Sequence, residues 1–166
     1  MPQLHAELAP IAFLVGVWEG DGSGDSPNCE PFTYRERTTF THDGRPFLYY
    51  EQSTWRTGPD AKEMPSHNER GMWRGFDDGR VEAVIAQTGG IGEVAVGRAE
   101  GNRLQLDSTT ISSTPSAKEV RGLWRVYTGR EDMLVVDVDM AAMGSPRVFH
   151  LHAELRQSAM STITGA

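Results

Sequence analysis

Short runs of alternating apolar and polar residues recur along almost the whole chain. Such a periodicity of two is typical of a β-strand with one buried face, and residues 134–140 show it in their second half. Asp-Gly and Gly-Asn pairs, as at 78–79 and 101–102, separate the runs and supply the positive φ that tight hairpins need. The pattern predicts about ten strands, near residues 15–22, 32–41, 46–57, 66–74, 80–87, 91–98, 102–109, 118–128, 131–141 and 147–156. Short strands at this spacing predict an antiparallel sandwich or barrel.

Polar residues on both faces of several predicted strands favour the barrel over the sandwich. A filled sandwich core would be more apolar, whereas a barrel around a cavity tolerates polar side chains inside. We therefore predict an all-β fold, a ten-stranded antiparallel up-and-down β-barrel that encloses a small ligand. Residues 4–14 alone look helical and predict a short N-terminal helical turn. Residues 57–66, with Gly and Pro, predict a long loop at the barrel mouth.

The length of 166 residues is that of one domain. We predict a single barrel domain over residues 1–157, followed by a small, polar and flexible C-terminal tail over 158–166. A net charge of −7, without a run of Lys or Arg, argues against nucleic acid or an anionic membrane as a partner. No apolar stretch approaches the roughly 20 residues that cross a bilayer. Cys29, the one cysteine, cannot form an internal disulfide, which favours a reducing cytoplasm.

Residues 16–22 read Gly-Val-Trp-Glu-Gly-Asp-Gly. Glycines in strands usually serve backbone geometry, so Gly16, Gly20 and Gly22 predict a bent, closely packed first strand, and Trp18 could close one end of the barrel. The segment is not a phosphate-binding loop, because no Lys-Ser or Lys-Thr pair follows it.

Two histidines, His150 and His152, lie on the last predicted strand and are two residues apart, so both should point to one face. The pair could bind zinc if two further ligands were supplied. A single histidine facing an apolar cavity could instead be the axial ligand of a heme iron. Either residue could also be an ordinary core or surface histidine.

It is not obvious which face of this last strand points into the barrel, that is, what the phase of its alternation is. Phe149, Leu151, Ala153 and Leu155 form its apolar face, opposite His150. If His150 points into the barrel, the apolar face points outward. Another subunit, which would make a homodimer, or the N-terminal segment could cover that face, or a β-bulge could shift the phase.

Other candidate chemistry is sparse. Lys118 could lie at the cavity rim and pair with an anionic group such as a propionate, or simply be solvated. No Gly-x-Ser-x-Gly elbow is present, and Cys29 has acidic Glu30 beside it, which disfavours a thiolate.

Taken in order, these segments resemble the nitrobindin family. Residues 16–22 match its Gly-x-Trp-x-Gly-x-Gly signature, and residues 67–71 resemble its His-x-Glu-x-Gly strand. Lys118 falls in a segment similar to one that carries a heme-contacting lysine, and Met140 precedes the closing His150 by ten residues. Further similar segments are 32–36, 40–42, 44–50 and 84–87. The resemblance covers residues 5 to 157.

The resemblance implies a barrel like those of lipocalins and fatty-acid-binding proteins, with ferric heme b in its mouth. By position, His150 would be the proximal axial ligand of the iron, with His152 as a rival. Lys118 would contact the heme, and His67 and Met140 would line its pocket. The implied activity is isomerisation of peroxynitrite to nitrate, with reversible binding of nitric oxide. Two alternatives stay open: a heme-free barrel that binds a fatty acid or another apolar anion through Arg or Lys, and a structural domain with a filled interior.

Overall fold

The computed structural model describes residues 2–27 and 29–159. A 3₁₀ helix, Ala6–Leu14, comes first and ten strands follow it. The strands are β1 (Gly16–Ser26), β2 (Cys29–Thr41), β3 (Phe47–Thr57), β4 (Glu63–Gly75), β5 (Arg80–Gln87), β6 (Ile91–Glu100), β7 (Arg103–Ser113), β8 (Val120–Arg130), β9 (Met133–Ala142) and β10 (Val148–Ser158).

The ten strands form one closed barrel in which each strand pairs antiparallel with the next along the chain. The ring is closed by β1 and β10, whose register runs from Val17 opposite Ser158 to Gly24 opposite Leu151. Each strand therefore has a hydrogen-bonded neighbour on both sides, although β7 and β8 pair only over Arg103–Asp107. The predicted ten-stranded up-and-down barrel and its N-terminal helical turn are confirmed.

The up-and-down topology gives the barrel two different ends. The turns after β2, β4, β6 and β8 lie at the end where the N-terminal helix enters β1. The turns after β1, β3, β5, β7 and β9 lie at the opposite end, which we call the mouth.

The N-terminal helix closes the end opposite the mouth. Its side chains Leu8, Ile11 and Leu14 are fully buried. Trp18 is 3% exposed and its indole N–H donates to the carbonyl of Leu14 at 2.7 Å. Next to them lies a layer of aromatic rings whose neighbouring centroids are about 5 Å apart, formed by Phe40, Tyr50, Trp73 and Tyr127. This half of the barrel is therefore filled with side chains.

The glycine signature is explained by close packing around β1. A Cβ at Gly20 would overlap the carbonyl oxygen of Glu154 on β10. A Cβ at Gly22 would overlap the ring of Tyr34 on β2. Gly16 has a φ of +144°, a conformation that residues with a side chain rarely adopt. These positions thus serve the backbone geometry of the first strand.

The expected long loop over residues 57–66 is wrong, because β4 already begins at Glu63 and pairs with the end of β3. The register shifts between Ser53 and Trp55, so that Trp55 lies opposite Pro65. At the shift, the hydroxyl of Thr54 accepts a hydrogen bond from the backbone N–H of His67 and donates to its carbonyl. The Thr54 side chain thus takes the place of a backbone hydrogen-bond partner at the register shift. The pairing of β3 with β4 therefore continues through a segment whose Gly and Pro residues predicted a loop.

A β-bulge at His150 resolves the phase problem of the last strand. Phe149 lies opposite Asp139, and Leu151 lies opposite the very next residue, Val138, so His150 is an extra residue in β10. Beyond the bulge, Ala153 is buried and its neighbours are more exposed. The apolar residues after the bulge therefore turn inward, which removes the reason given for a homodimer; Phe149 stays exposed.

Two further predictions concern the C-terminal tail and the absence of a membrane-spanning segment. Strand β10 continues to Ser158, one residue into the expected C-terminal tail, and residues 160–166 of that tail lie outside the described residues. No helix in the described ranges is long and apolar enough to cross a membrane.

Candidate ligand cavity

A cavity of about 410 Å³ lies inside the barrel at its mouth. This volume is within the range of small-molecule and cofactor sites. All of the predicted cofactor residues line it: His67 from β4, Lys118 from the β7–β8 turn, Met140 from β9 and His150 from β10. Part of the wall is apolar and consists of Phe32, Val120, Leu123, Val136, Val138, Met143 and Leu151.

The bulge places His150 at the cavity together with its neighbour Leu151. The Nδ1 of His150 lies 2.6 Å from the backbone carbonyl oxygen of Asp25. A carbonyl oxygen only accepts, so Nδ1 carries the proton and Nε2 holds the lone pair. Burial lowers the pKa of His150, although the hydrogen bond to Asp25 acts in the opposite direction. The ring is therefore a neutral imidazole with its Nε2 available as a donor to a metal.

His152, the rival, lies elsewhere. It is absent from the cavity wall, and its Nδ1 is 2.7 Å from a carboxylate oxygen of Asp137. Its Nε2 is 3.8 Å from Glu154, another residue of the outer surface. Because the bulge separates them, His150 and His152 do not share a face and cannot bind one zinc ion together. Within the described part of the chain, no group of three or more His, Cys, Asp or Glu residues is placed to hold a metal ion.

His67 is held by a carboxylate. Its Nε2 lies 3.2 Å from Oε1 of Glu69, a residue that is almost fully buried. Because both side chains project inward from β4, the carboxylate fixes the orientation of the ring at the cavity wall.

Glu69 belongs to a buried ionic cluster at the inner end of the cavity. Arg125 of β8 is 3% exposed and donates to Glu69 at 2.9 and 3.1 Å and to Glu93 at 2.7 and 3.3 Å. The hydroxyl of Tyr50 also donates to Glu69, at 2.9 Å. One cation therefore faces two carboxylates, and four hydrogen bonds tie the guanidinium to them. Burial also raises the pKa of nearby Tyr127 to about 12.

A second buried carboxyl, Glu36, lines the same cavity, and no Arg or Lys of the described residues forms an ion pair with it. It is 1% exposed, and the hydroxyl of Thr38 donates to it at 2.6 Å. Burial raises the pKa of Glu36 more than hydrogen bonds from Thr38 and Gln52 lower it. Such a group favours its neutral form.

The sequence analysis missed Glu36 and Arg125 as cavity residues and Glu93 as the buried partner of Arg125. A signal was present, because each charged residue occupies an inward position in its alternating strand. Arg125, for example, lies between the buried residues Leu123 and Tyr127. Charged residues on an apolar face are almost never buried unless they are paired.

Acid is expected to destabilise the protein through Glu69. Burial acts to raise its pKa, but the charge of Arg125 and the hydrogen bonds from His67 and Arg125 outweigh it, so the pKa is lowered overall. In the unfolded chain a glutamate titrates at about 4.3. As the pH falls below about 4, the unfolded state takes up this proton first, and the stability that Glu69 provides at higher pH is lost.

Urea denaturation at pH 7, 5, 4 and 3.5 measures this loss, with Glu69→Gln as the matched variant. The variant should be less stable than the parent at pH 7, and the difference should shrink toward pH 3.5. A difference that stays constant over this range would show that ionisation of Glu69 does not stabilise the fold.

The closed barrel, its open cavity and the neutral imidazole at its wall define a barrel protein built to bind a ligand inside. The chain belongs to a heme-binding family of such barrels: the profile of the "THAP4-like, heme-binding beta-barrel domain" matches residues 7–157. The resemblance to nitrobindins is thereby confirmed.

Individual relatives agree with this assignment. The chain is 43% identical over 161 residues to a protein of Streptomyces griseus named peroxynitrite isomerase, covering 95% of this chain and 87% of the relative. It is also 43% identical to peroxynitrite isomerase 1 of Mycolicibacterium paratuberculosis, covering 93% and 96% of the two chains. The crystal structure of Rv2717c from M. tuberculosis superposes with a TM-score of 0.86 at 36% identity, covering 95% of this chain and all of the other.

Proposed function

We propose that this chain is a heme-dependent peroxynitrite isomerase that holds ferric heme b through His150 and also binds nitric oxide. The observation that carries the proposal is the state of His150. Its ring lies at the wall of an open cavity, is kept neutral by burial, and has Nδ1 occupied by the Asp25 carbonyl. Metal-ligating histidines commonly donate their other ring N–H in this way. The names of the relatives support the reaction.

The residues present fit a heme. His150 would hold the iron, and the apolar wall around Val138 and Met140 would lie against the porphyrin. Lys118 at the mouth would pair with a propionate, and His67 would line the pocket. When bound, ferric heme supplies a Lewis-acidic iron that can polarise the peroxynitrite anion and favour its rearrangement to nitrate.

The protein side of this reaction needs neither a general acid nor a general base. Peroxynitrite and nitrate have the same atoms and the same charge, so no proton is gained or lost overall. The protein therefore has to bind the heme, orient its own ligating side chains and shield the site from water. The Asp25 carbonyl holds the proton on Nδ1 of His150, and Glu69 holds the ring of His67 in place. Apolar side chains such as Leu123 and Val136 keep part of the cavity free of polar groups.

The alternative, a heme-free barrel for a fatty acid, is disfavoured by the charge inside the cavity. Arg125 is the cation that a deeply inserted carboxylate would need, and it is already bound by Glu69 and Glu93. Together the three groups carry one net negative charge, which repels an anion at this depth.

A hemin titration of the cofactor-free protein tests the proposal. We expect a Soret band that saturates at one hemin per chain, and faster decay of peroxynitrite in stopped-flow mixing, with nitrate as the product. In a separate assay, an unlabelled fatty acid at micromolar concentration should not displace a fluorescent fatty-acid probe from the protein. Displacement of that probe together with the absence of a hemin spectrum would instead establish the fatty-acid alternative.

Location and assembly stay predictions. We propose a cytoplasmic protein, supported by a single cysteine, Cys29, which is exposed and free. We propose small molecules as its ligands rather than nucleic acid or a membrane, in keeping with its net negative charge. We do not propose a homodimer, because the apolar residues of β10 after the bulge turn inward.

A further inference from the structure

We propose that Arg56 is a second cationic anchor at the mouth, which binds a carboxylate of the ligand in the cavity independently of Lys118. The inference rests on the proposed heme function and adds a residue that decides which porphyrins bind. It is carried by the position of Arg56, by its packing and by the absence of a carboxylate partner among the described residues.

Arg56 lies at the mouth end of β3 and lines the cavity. Residues Thr54 and Gln52, two and four positions earlier on the same face of the strand, line it as well. Lys118 comes from the β7–β8 turn at the same end of the barrel. Because four strands lie between β3 and β8 on either side of the ring, the two cations approach the mouth from different walls.

The guanidinium of Arg56 is held by an aromatic ring. Its Cζ lies 3.4 Å from the ring centroid of Phe32, which also lines the cavity. Stacking of this kind restrains an arginine side chain while leaving its N–H groups free in the plane of the guanidinium. The group is thus positioned for a carboxylate in advance.

The side-chain N–H groups of Arg56 form no hydrogen bond or ion pair with the described residues. Its Nε is buried and has no hydrogen-bond partner within residues 2–27 and 29–159. The acidic residues of the adjacent β3–β4 segment are committed to other cations: Asp60 is 3.5 Å from Lys62, and Glu63 is 2.7 Å from Arg35. A guanidinium at the cavity wall that has no carboxylate partner among the described residues would gain a charge-assisted contact from a carboxylate of the ligand.

A heme carries two propionates, so two cations at the mouth match it better than one. A bidentate or charge-assisted contact from arginine is stronger than an ordinary hydrogen bond. Arg56 and Lys118 would therefore share the recognition of the porphyrin edge, while His150 recognises the metal.

Hemin titrations of Arg56→Gln, followed by Soret absorbance, test this role. We expect the variant to bind hemin about 10-fold more weakly than the parent, which corresponds to the loss of one charge-assisted contact. Arg56→Lys, which keeps the charge, should recover part of the loss. Hemin dimethyl ester, whose propionates are neutral, should bind to the parent and to Arg56→Gln equally well.

Arg35→Gln is the matched control. Arg35 also stacks on an aromatic ring, with its Cζ 4.5 Å from the centroid of Trp55, but it is half-buried on the outer surface and absent from the cavity wall. It should bind hemin like the parent. Equal hemin affinity of parent and Arg56→Gln would overturn the assignment while leaving the heme function intact. An equal loss with the dimethyl ester, or in the control, would also overturn it. Failure of the parent itself to bind hemin would overturn the proposed function together with this anchor.

Discussion

Replacing His150 by alanine is expected to weaken hemin binding by more than about 100-fold, since even the loss of a residue that merely supports a metal ligand costs 10–100-fold. The Soret band of whatever hemin remains bound should shift, because the iron would lose its imidazole. His150 is the extra residue of a bulge, and its ring makes one hydrogen bond, to the carbonyl of Asp25. The substitution should therefore leave the barrel folded.

His152→Ala is the control for this prediction. Its ring lies outside the cavity and pairs with Asp137, so the variant should keep the parent's hemin spectrum and affinity. Free imidazole added to the His150→Ala protein should restore the parental spectrum by occupying the vacated space. Normal hemin binding by His150→Ala, or its loss in His152→Ala, would refute the assignment of the axial ligand.

Replacing Trp18 by alanine is expected to lower the free energy of unfolding by about 3–5 kcal/mol, as truncations of large buried aromatic side chains do. Trp18 is 3% exposed, and it contacts the helix that closes the barrel through its hydrogen bond to Leu14. The cavity left by the indole and the unpaired carbonyl of Leu14 both contribute to the loss. Urea denaturation followed by far-UV circular dichroism measures it.

Trp18→Phe separates the two contributions. It keeps an aromatic ring and removes the N–H donor, so its loss should be smaller than that of Trp18→Ala. Trp55→Ala provides an outer-surface comparison, because Trp55 is only half-buried and stacks on Arg35. A loss below about 1 kcal/mol for Trp18→Ala, the range of ordinary surface substitutions, would show that this side chain does not hold the closed end together.

Most of the barrel could be predicted from the sequence, because alternation and tight-turn pairs are local signals. The ends of the strands were harder to predict. Residues 57–66 looked like a loop because of their Gly and Pro residues, whereas the Thr54 side chain bridges to His67 and lets pairing continue to Glu63. That contact joins residues 13 positions apart and leaves no local pattern.

The candidate site was predictable only in part. His67, Lys118, Met140 and His150 were identified through a family pattern, and all of them line one cavity. The ionic cluster around Arg125 was not, because its partners lie 56 and 32 residues away and their meeting depends on the register of the whole ring. Which of the histidines on β10 faces inward depended on one bulge, which alternation cannot reveal.

That bulge makes the imidazole of His150 an addition to the wall rather than a replacement within it. With residue 150 left out, Phe149 opposite Asp139 and Leu151 opposite Val138 would already form an uninterrupted ladder. Leu151, Ala153 and Leu155 keep their places in the interior in either case. A nitrogen donor could thus be gained or lost in such a barrel through a single-codon insertion or deletion, with no compensating change in the core.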